Sequence, residues 1–589
     1  MLLDDYPQLE GLLKHADLGL GHLIQEFLYS NSGPLGRPVS MFTFILDANF
    51  WGASFWLWKM SSLLLHLTTA LSLYWFLTAL LRPIPQPQAQ KFWIAVFVFA
   101  VWMLHPLNVS TVLYTVQRMT ILSALFAFLS MSAFIEGRYC LQNNQNSGYA
   151  WLVLSIGVFL PLSAFSKENG LLIPLYLVLL EYLFFPQSRW RASWQRLTMR
   201  PRAILSIAVG LVGVAVVSAI IQHFVFGGYL GRPFTLTERL LTELRVVTIY
   251  LWQIVAPSWS NLGFFHDDIA LSKGLLTPPS TLLALVLLAS LLWMGFRLRK
   301  CNPIVSFGIL FFFASHLMES TIFPLELMFE HRNYLGSIGI VIAISSFAQA
   351  HVKKFSILPV FAVLIPVALA VVLYQFSHTW GDNDRLNVRL YASHPDSPSV
   401  IAITADQYVI QGKPEQAFRL LDRPERIGYQ LQSLVIKCNL FHRIEDAELE
   451  KLNSDVHGLM LSYELTGLIL LSNHWLDRTC RFSDKYFMET LRLAIEHTVN
   501  GLSRQKLWMY RAHIFHQIGQ PVQAIQSLDA AAKAAPESPM PLFLATEWLL
   551  DQGDKKRAKA YYQRAIAASD MDRAISAEYI SHFRNRITP

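Results

Sequence analysis

Residues 57–81 read LWKMSSLLLHLTTALSLYWFLTALL and run straight into Arg82-Pro83, with Lys91 a few residues on. Roughly 17 to 25 mostly apolar residues cross the hydrocarbon core of a bilayer as a helix, so this stretch predicts a membrane span. Stretches of the same character lie near 92–105, 116–136, 149–166, 170–185, 203–225, 278–296, 303–324, 335–350 and 356–375. Cationic residues fall in every second loop between them: Arg82 to Lys91, Arg138, the run Arg189, Arg191, Arg196, Arg200 and Arg202, the trio Arg297, Arg299 and Lys300, and Lys353-Lys354. Loops rich in Lys and Arg stay in the cytoplasm, which fixes the expected orientation. The alternate loops hold Asp4-Asp5, His105-Pro106, Ser166-Lys167-Glu168-Asn169 and Glu330-His331-Arg332-Asn333-Tyr334. Ionisable groups gathered on one side of a membrane protein predict a reaction site there, here on the outer face.

Composition agrees. The chain has 589 residues, 53% of them hydrophobic, and a mean hydropathy of +0.35, too apolar for an ordinary soluble protein. The formal net charge of +7 sits largely in the expected cytoplasmic loops. Membrane orientation accounts for it, and no nucleic-acid-binding motif is present. The expected fold class is all-α: a polytopic membrane helix bundle over 1–376, followed by a soluble helical-repeat domain over 377–589. The outer loops are 1–56, 105–115, 166–169, 226–276 and 325–334. Thr237 to Ala256, with Glu238, Arg239, Glu243 and Arg245 in its first half, reads as an amphipathic helix in the outer interface. No apolar helix precedes Asp4 and Asp5 to carry them outside, so a further span before them is expected, and no cleavable signal peptide is seen. Cys140 and Cys301 adjoin cytoplasmic loops and are expected reduced; Cys438 and Cys480 could pair if their domain is exported, but two cysteines make no framework and free buried thiols are the favoured expectation.

The last third carries a repeat. Gly519, Ala524 and Ala531 recur as Gly553, Ala558 and Ala565, with Leu528 matched by Tyr562, and Gly412 to Ala417 repeats the first interval. A helix–turn–helix unit of about 34 residues is the tetratricopeptide period. The stretch 425–500 reads as degenerate helical pairs, and such arrays bind peptides or partner proteins.

Asp4 and Asp5 are too close together to flank one bond as an acid/base pair, but either could deprotonate a hydroxyl or join a metal site; a solvated tail is the plain alternative. Arg118, near the outer end of its helix after Gln117, could grip a phosphate bidentately or snorkel to headgroups. Lys167 and Glu168 could form an ion pair, or Lys167 could neutralise a phosphate. Glu330 to Tyr334 is the densest polar run beside the membrane, and Glu319 upstream lies within an apolar span. No Walker loop, dinucleotide fingerprint, nucleophile elbow or zinc spacing occurs, which argues against hydrolysis of a soluble nucleotide.

The order Asp4-Asp5, Gly36-Arg37-Pro38-Val39-Ser40, Leu65-His66, His105-Pro106-Leu107, Val116-Gln117-Arg118-Met119-Thr120, Ser166-Lys167-Glu168-Asn169, Glu330-His331-Arg332-Asn333-Tyr334 and then repeats resembles the bacterial relatives of the transmembrane and tetratricopeptide-repeat O-mannosyltransferases. These are GT-C class membrane glycosyltransferases. The resemblance implies a GT-C-like bundle in the bacterial inner membrane with its repeat domain in the periplasm. It implies a polyprenyl-phosphate-linked sugar donor, a protein acceptor docked by the repeats, and contact with membrane lipids. By the same analogy Asp4 or Asp5 is the catalytic base, and Arg118, Lys167 and Arg332 hold the donor phosphate. His105, Gln117, Glu168, Glu330, His331 and Asn333 support them. The resemblance implies no certain cofactor and leaves a divalent metal open. The competing expectations are transfer to a glycan or lipid acceptor, and a non-catalytic repeat-bearing membrane scaffold.

Overall fold

The computed structural model describes residues 32–33, 35–52, 54–185, 228–259, 262–351, 358–423, 426–456, 464–498, 501–536, 538–569, 583 and 586. Asp4, Asp5, the Arg189 to Arg202 cluster, the expected span at 203–225, Gly227 and Lys353-Lys354 lie outside the described residues. Among the described residues the architecture is all-helical, with no strand. The chain divides into two compact units, Met1–Val225 with Phe234–His394, and Phe226–Pro233 with Pro395–Pro589.

The first unit begins with α1 (Pro38–Trp51), α2 (Phe55–Leu81), α3 (Gln88–Met103), α4 (Val109–Leu113) and α5 (Arg118–Gln142). Hydroxyls on α2 do not disqualify it from an apolar medium. Ser62, Thr68 and Thr69 donate to carbonyls four residues back, at 3.2, 2.9 and 2.8 Å, so these hydroxyls do not face hydrocarbon bare. The unit continues through α6 (Ser147–Val153), a π-helical turn (Leu154–Phe159), α7 (Leu160–Ser166), α8 (Ile173–Phe184), α9 (Leu236–Val255), α10 (Ser280–Leu298), α11 (Pro303–His316), α12 (Asn333–His351), α13 (Leu358–Trp380) and α14 (Asn383–Ser393).

Among the described residues, five helical stretches are long and apolar enough to cross a membrane: Trp56–Leu81, Thr115–Gln142, Ser147–Ser166, Ser280–Leu298 and Val360–Trp380. Gln88–Met103 and Pro106–Leu113, bent by 47°, add a sixth if they form one broken span. These helices mark the chain as a membrane protein. Their burial ranks them: 83% of the apolar window in α5 is covered, against 11% in α13. So α5 is the axis of the bundle. Small residues let its neighbours approach. A Cβ on Gly148 would sit 2.6 Å from the Gly137 carbonyl oxygen, and Ser130 and Ser155 exchange hydrogen bonds at 3.0 and 2.8 Å. Likewise a Cβ on Gly308 of α11 would lie 2.3 Å from the Gly339 carbonyl of α12.

Two expected spans are shorter than their apolar sequence suggests. The one at 170–185 begins with a 3-10 turn and is helical only from Ile173, and the one at 303–324 stops as a helix at His316. The second has a visible cause. Arg239 takes the carbonyls of Glu319 and Thr321, at 2.7 and 2.9 Å, which a continuing helix would need for itself.

Of the basic residues expected in cytoplasmic loops, Arg82, Arg138 and Arg299 meet through a chain of neighbouring partners on α5 and α8. Arg82 pairs with Glu136 (2.8 Å for Nη1–Oε2), Arg138 with Glu181 (2.8 Å), and Arg299 donates to the hydroxyl of Tyr182, beside Glu181.

The second unit runs through α15 (Pro398–Ile410), α16 (Pro414–Leu421), α17 (Ile427–Phe441), α18 (Asp446–Asp455), α19 (Leu465–Leu476), α20 (Asp484–His497), α21 (Gly501–Gln517), α22 (Pro521–Ala534), α23 (Met540–Asp551) and α24 (Lys555–Ser569). The turns at Gly412, Gly519 and Gly553 share one construction. Each glycine is left-handed (φ 72, 76 and 79°), and the next residue's N–H closes a loop onto a carbonyl five residues back: Lys413 to Tyr408 at 2.8 Å, Gln520 to Phe515 at 2.8 Å, Asp554 to Leu549 at 2.9 Å. This is the Schellman ending, which glycine makes without strain. The alanine five residues later, Ala417, Ala524 or Ala558, is fully buried in each case. A fourth such turn, which the sequence hides, uses Arg478 in the left-handed position (φ 56°), with Thr479 bonded to His474 at 3.1 Å. That is why 425–500 looks degenerate.

Cys438 and Cys480 are joined by a disulfide with Cα atoms 5.3 Å apart, correcting the expectation of free thiols. Spacing alone carries no geometry that pairs them, whereas the fold sets α17 beside the turn after α19, where Ile444 donates to the Arg481 carbonyl at 3.0 Å. With the two cysteines 42 positions apart, removing the bond by Cys480→Ser is expected to destabilise this unit by about 4 kcal/mol. Alkylation checks the bond directly: the denatured, unreduced chain should take label at Cys140 and Cys301 alone, and at all four cysteines after reduction.

Candidate functional site: a buried ion-pair cluster

At the end of α7 the backbone of Lys167 is extended (φ −157°, ψ 145°) and a 3-10 turn, Glu168–Leu172, follows. Gly170 makes the turn possible, because a Cβ there would lie 2.3 Å from the backbone of Ser163 and Ala164. The break sends neighbouring side chains apart. Lys167, 7% exposed, points inward, donating from Nζ to Thr120 Oγ1 (3.0 Å) and pairing with Glu319 Oε1 (3.1 Å). Thr120 in turn donates to Gln117 Oε1 at 3.0 Å. Glu168 instead accepts from Arg37, with Nε at 3.0 and 3.1 Å and Nη2 at 2.9 Å. The two residues therefore do not pair with each other, which corrects that alternative.

The turn Glu330–Arg332 that opens α12 divides its residues in the same way. Glu330 accepts from the Gly263 N–H (2.8 Å) and lies 2.6 Å from His266 Nε2, so it anchors the 262–268 segment. Burial works against a charge on His266, but Glu330 and the nearby Asp268 and Asp267 raise its pKa. His331 stacks on Phe329 with ring centroids 5.1 Å apart. Burial, then the charges of Lys167, Arg332 and Arg37, push its pKa well down and keep it neutral. Asn333 Oδ1 is 3.2 Å from His316 Nε2. Arg332 donates to the carbonyls of Leu327 (2.9 Å) and Glu326 (2.6 Å), while its Nε has no hydrogen-bond partner among the described residues.

Glu319 joins the two halves. Burial disfavours its charge, but Lys167 first and Arg332 second hold its carboxyl well below the usual range. Lys167 and Arg332, far apart in sequence, thus act on one carboxylate. The ammonium of Lys167 is lowered by burial, with Glu319 opposing.

A further carboxylate was not singled out in the sequence. The helix α9 starts with a capping box, Thr235 with Glu238, and lays a polar stripe inward: Arg239, Thr242, Glu243, Tyr250 and Gln253 are buried. Leu240, Trp252 and Val255 are exposed instead. Glu243 is 2.9 Å from Arg239 Nη2 and 4.0 Å from Arg332 Nη1. The i, i+4 spacing of Arg239 and Glu243 was the available signal. In an amphipathic reading it points to water. Arg37 and Thr120 fall within the sequence motifs but were given no role there, and Asp47 was missed.

Arg118 departs from its expected role. Only 1% exposed, it pairs with Asp47 (2.5 Å), donates to Ser62 Oγ (3.2 Å) and to the carbonyls of Trp58 (2.8 Å) and Thr43 (3.3 Å), and lies over the Phe44 ring. A guanidinium so occupied ties α1 and α2 to α5 and is not presented to a phosphate. His105 is a cap: its Nδ1 accepts the Leu107 N–H (3.2 Å) and its Nε2 meets the Ile254 carbonyl (2.9 Å), which fixes a neutral ring in a structural role. No group of three or more His, Cys, Asp or Glu side chains able to hold a metal occurs among the described residues.

Comparison with protein-family models, curated proteins and solved structures returned no match to this chain. The geometry offers fixed cations, Lys167 and Arg332, facing carboxylates in a low-dielectric setting. Such a site can bind and stabilise an oxyanion.

Proposed function

We propose that the chain is a GT-C type membrane glycosyltransferase that moves a sugar from a polyprenyl-phosphate-linked donor to a hydroxyl of a protein on the periplasmic face. The observation that carries this reading is the buried ion pair of Lys167 with Glu319 at 3.1 Å, with the charge of Arg332, 4.0 Å from Glu243, acting on the same carboxylate from farther away. That cluster belongs to the expected outer loops, whereas Arg82, Arg138 and Arg299 belong to the other set. Breaking a sugar–phosphate bond leaves negative charge on the phosphate, which fixed cations stabilise, while a carboxylate takes the proton of the incoming hydroxyl. Arg332 and Lys167 fill the first role, and Asp4 or Asp5 the second. The Cys438–Cys480 bond fits an oxidising compartment and so a periplasmic second unit. The repeated Schellman turns and buried alanines support tetratricopeptide-type pairs, which suit docking of an acceptor protein.

Intact-mass comparison of envelope and pilin proteins from cells with and without the gene tests the proposal. A sugar-sized increment should vanish with the gene, return with the wild-type copy and stay absent with Arg332→Ala at equal protein level. Identical masses in all strains would overturn the protein-acceptor reading.

A further inference from the structure

Each cation of the cluster has an internal anion: Arg37 has Glu168, Lys167 has Glu319, and Arg239 and Arg332 share Glu243. The last arrangement is the loosest. Arg239 is spoken for by the carbonyls of Glu319, Thr321 and Leu325. Arg332 stands 4.0 Å from Glu243, too far for a hydrogen bond, and its buried Nε has no hydrogen-bond partner among the described residues. Both Glu243 oxygens also lack a well-formed hydrogen bond among the described residues, although Arg239 and the Ser320 hydroxyl lie beside them. A carboxylate 2% exposed and without aligned donors is an expensive neighbour unless something exchanges with it.

We infer that Glu243 is a placeholder anion, which the phosphate of the donor displaces from Arg332 as Glu243 takes up a proton from water. This rests on the transferase reading above and adds to it a proton coupled to donor binding. The shared chemistry recognised is a tetrahedral oxyanion. Charges balance: one ligand anion enters and one solvent proton neutralises Glu243, so the net charge around Arg239, Arg332 and Glu319 is unchanged. The groups facing Glu243 are Arg332 from the turn before α12, Arg239 and Tyr250 from α9 itself, and Glu319 and Ser320 from the segment after α11. The helix α10, packed against α9, brings no charged residue before Arg297. Burial first, with Glu319 adding repulsion against the pull of Arg332 and Arg239, raises the Glu243 carboxyl to about 7, where one arriving negative charge suffices to protonate it.

The test is calorimetry on the full chain in phosphatidylcholine nanodiscs, in two buffers of different ionisation enthalpy, from pH 6 to 8.5. The probes are a short-chain polyprenyl phosphosugar, a phosphodiester whose charge is constant over this range, and sulfate as a free tetrahedral anion. Above pH 7 the wild type should take up close to one proton per phosphosugar bound, and its affinity should fall by up to about tenfold per pH unit. Glu243→Gln should bind without proton uptake and without pH dependence. Glu243→Asp, which keeps a titrating group, should retain both effects and guards against a folding defect in the glutamine variant. A flat pH profile in the wild type, or uptake unchanged in Glu243→Gln, overturns the role of Glu243 while binding itself leaves the transferase reading standing. Absence of phosphosugar binding in every variant at every pH overturns both. Equal behaviour with sulfate overturns recognition of the lipid-linked source.

Discussion

Replacing Lys167 with alanine is expected to abolish sugar transfer and to destabilise the membrane unit by about 3–5 kcal/mol. The reason is the partner left behind. Glu319 is buried, and its charge depends on Lys167 more than on any other group. Without the ammonium it must either stay ionised in a low-dielectric surround or take up a proton, and both are unfavourable. Thr120 would lose its donor as well. Glu319→Gln should be damaging for the mirror-image reason, since Lys167 and Arg332 would then share one fewer counter-charge. The double change Lys167→Met with Glu319→Met removes both charges and should recover most of the stability, because apolar replacement of a buried pair is often close to neutral. It should not recover transfer. Thermal unfolding in detergent, with glycosylation assayed on the same preparations, measures the two effects separately. A double variant as inactive and as unstable as the single ones would mean that packing, not charge, dominates here. Recovery of transfer would remove Lys167 from the donor site.

What the sequence made legible, and what it hid, follows from the range over which each signal acts. Lys167, Arg332 and Gln117 stood out because polar residues bordering apolar helices are conspicuous, and the fold links Lys167 to Gln117 through Thr120 and to Arg332 through Glu319. Glu243 did not stand out. On a helix of mixed polarity, an inward and an outward polar stripe have the same spacing, and only the neighbouring helices decide which way it faces. The turns at Gly519 and Gly553 were readable because glycine advertises a left-handed backbone, whereas Arg478 takes the same conformation without the advertisement. The Cys438–Cys480 bond depends on a contact between segments 42 residues apart, and nothing local specifies it. The reach of α11 was overestimated because its apolar sequence continues past His316, while Arg239 draws off the carbonyls that a longer helix would use.

Arg118 is where local reading and fold diverge most, and its expected behaviour separates a structural cation from a catalytic one. Asp47 sits in the apolar run Phe44-Ile45-Leu46-Asp47-Ala48, where a single carboxylate draws little notice. In the folded chain it meets the Arg118 guanidinium at 2.5 Å and also accepts from Ser61 at 2.9 Å. Asp47→Ala should therefore destabilise the unit by about 3–5 kcal/mol, because it strands a guanidinium that is 1% exposed. Arg118→Lys should also be damaging. An ammonium has three donors and no planar fork, and it cannot serve Asp47, Ser62 and the Trp58 carbonyl from one position. Asp47→Leu combined with Arg118→Met should be much milder than either single loss. The discriminating quantity is binding. At a temperature where Asp47→Ala remains folded, its affinity for a polyprenyl phosphosugar should match the wild type, while Arg332→Ala, folded to the same extent, should lose at least tenfold. Arg118 is held by α1 and α2, and Arg332 by the turn ahead of α12, so the two guanidiniums answer to different parts of the fold. Equal loss of affinity in both variants would return Arg118 to the donor site and require Asp47 to release it when the donor arrives.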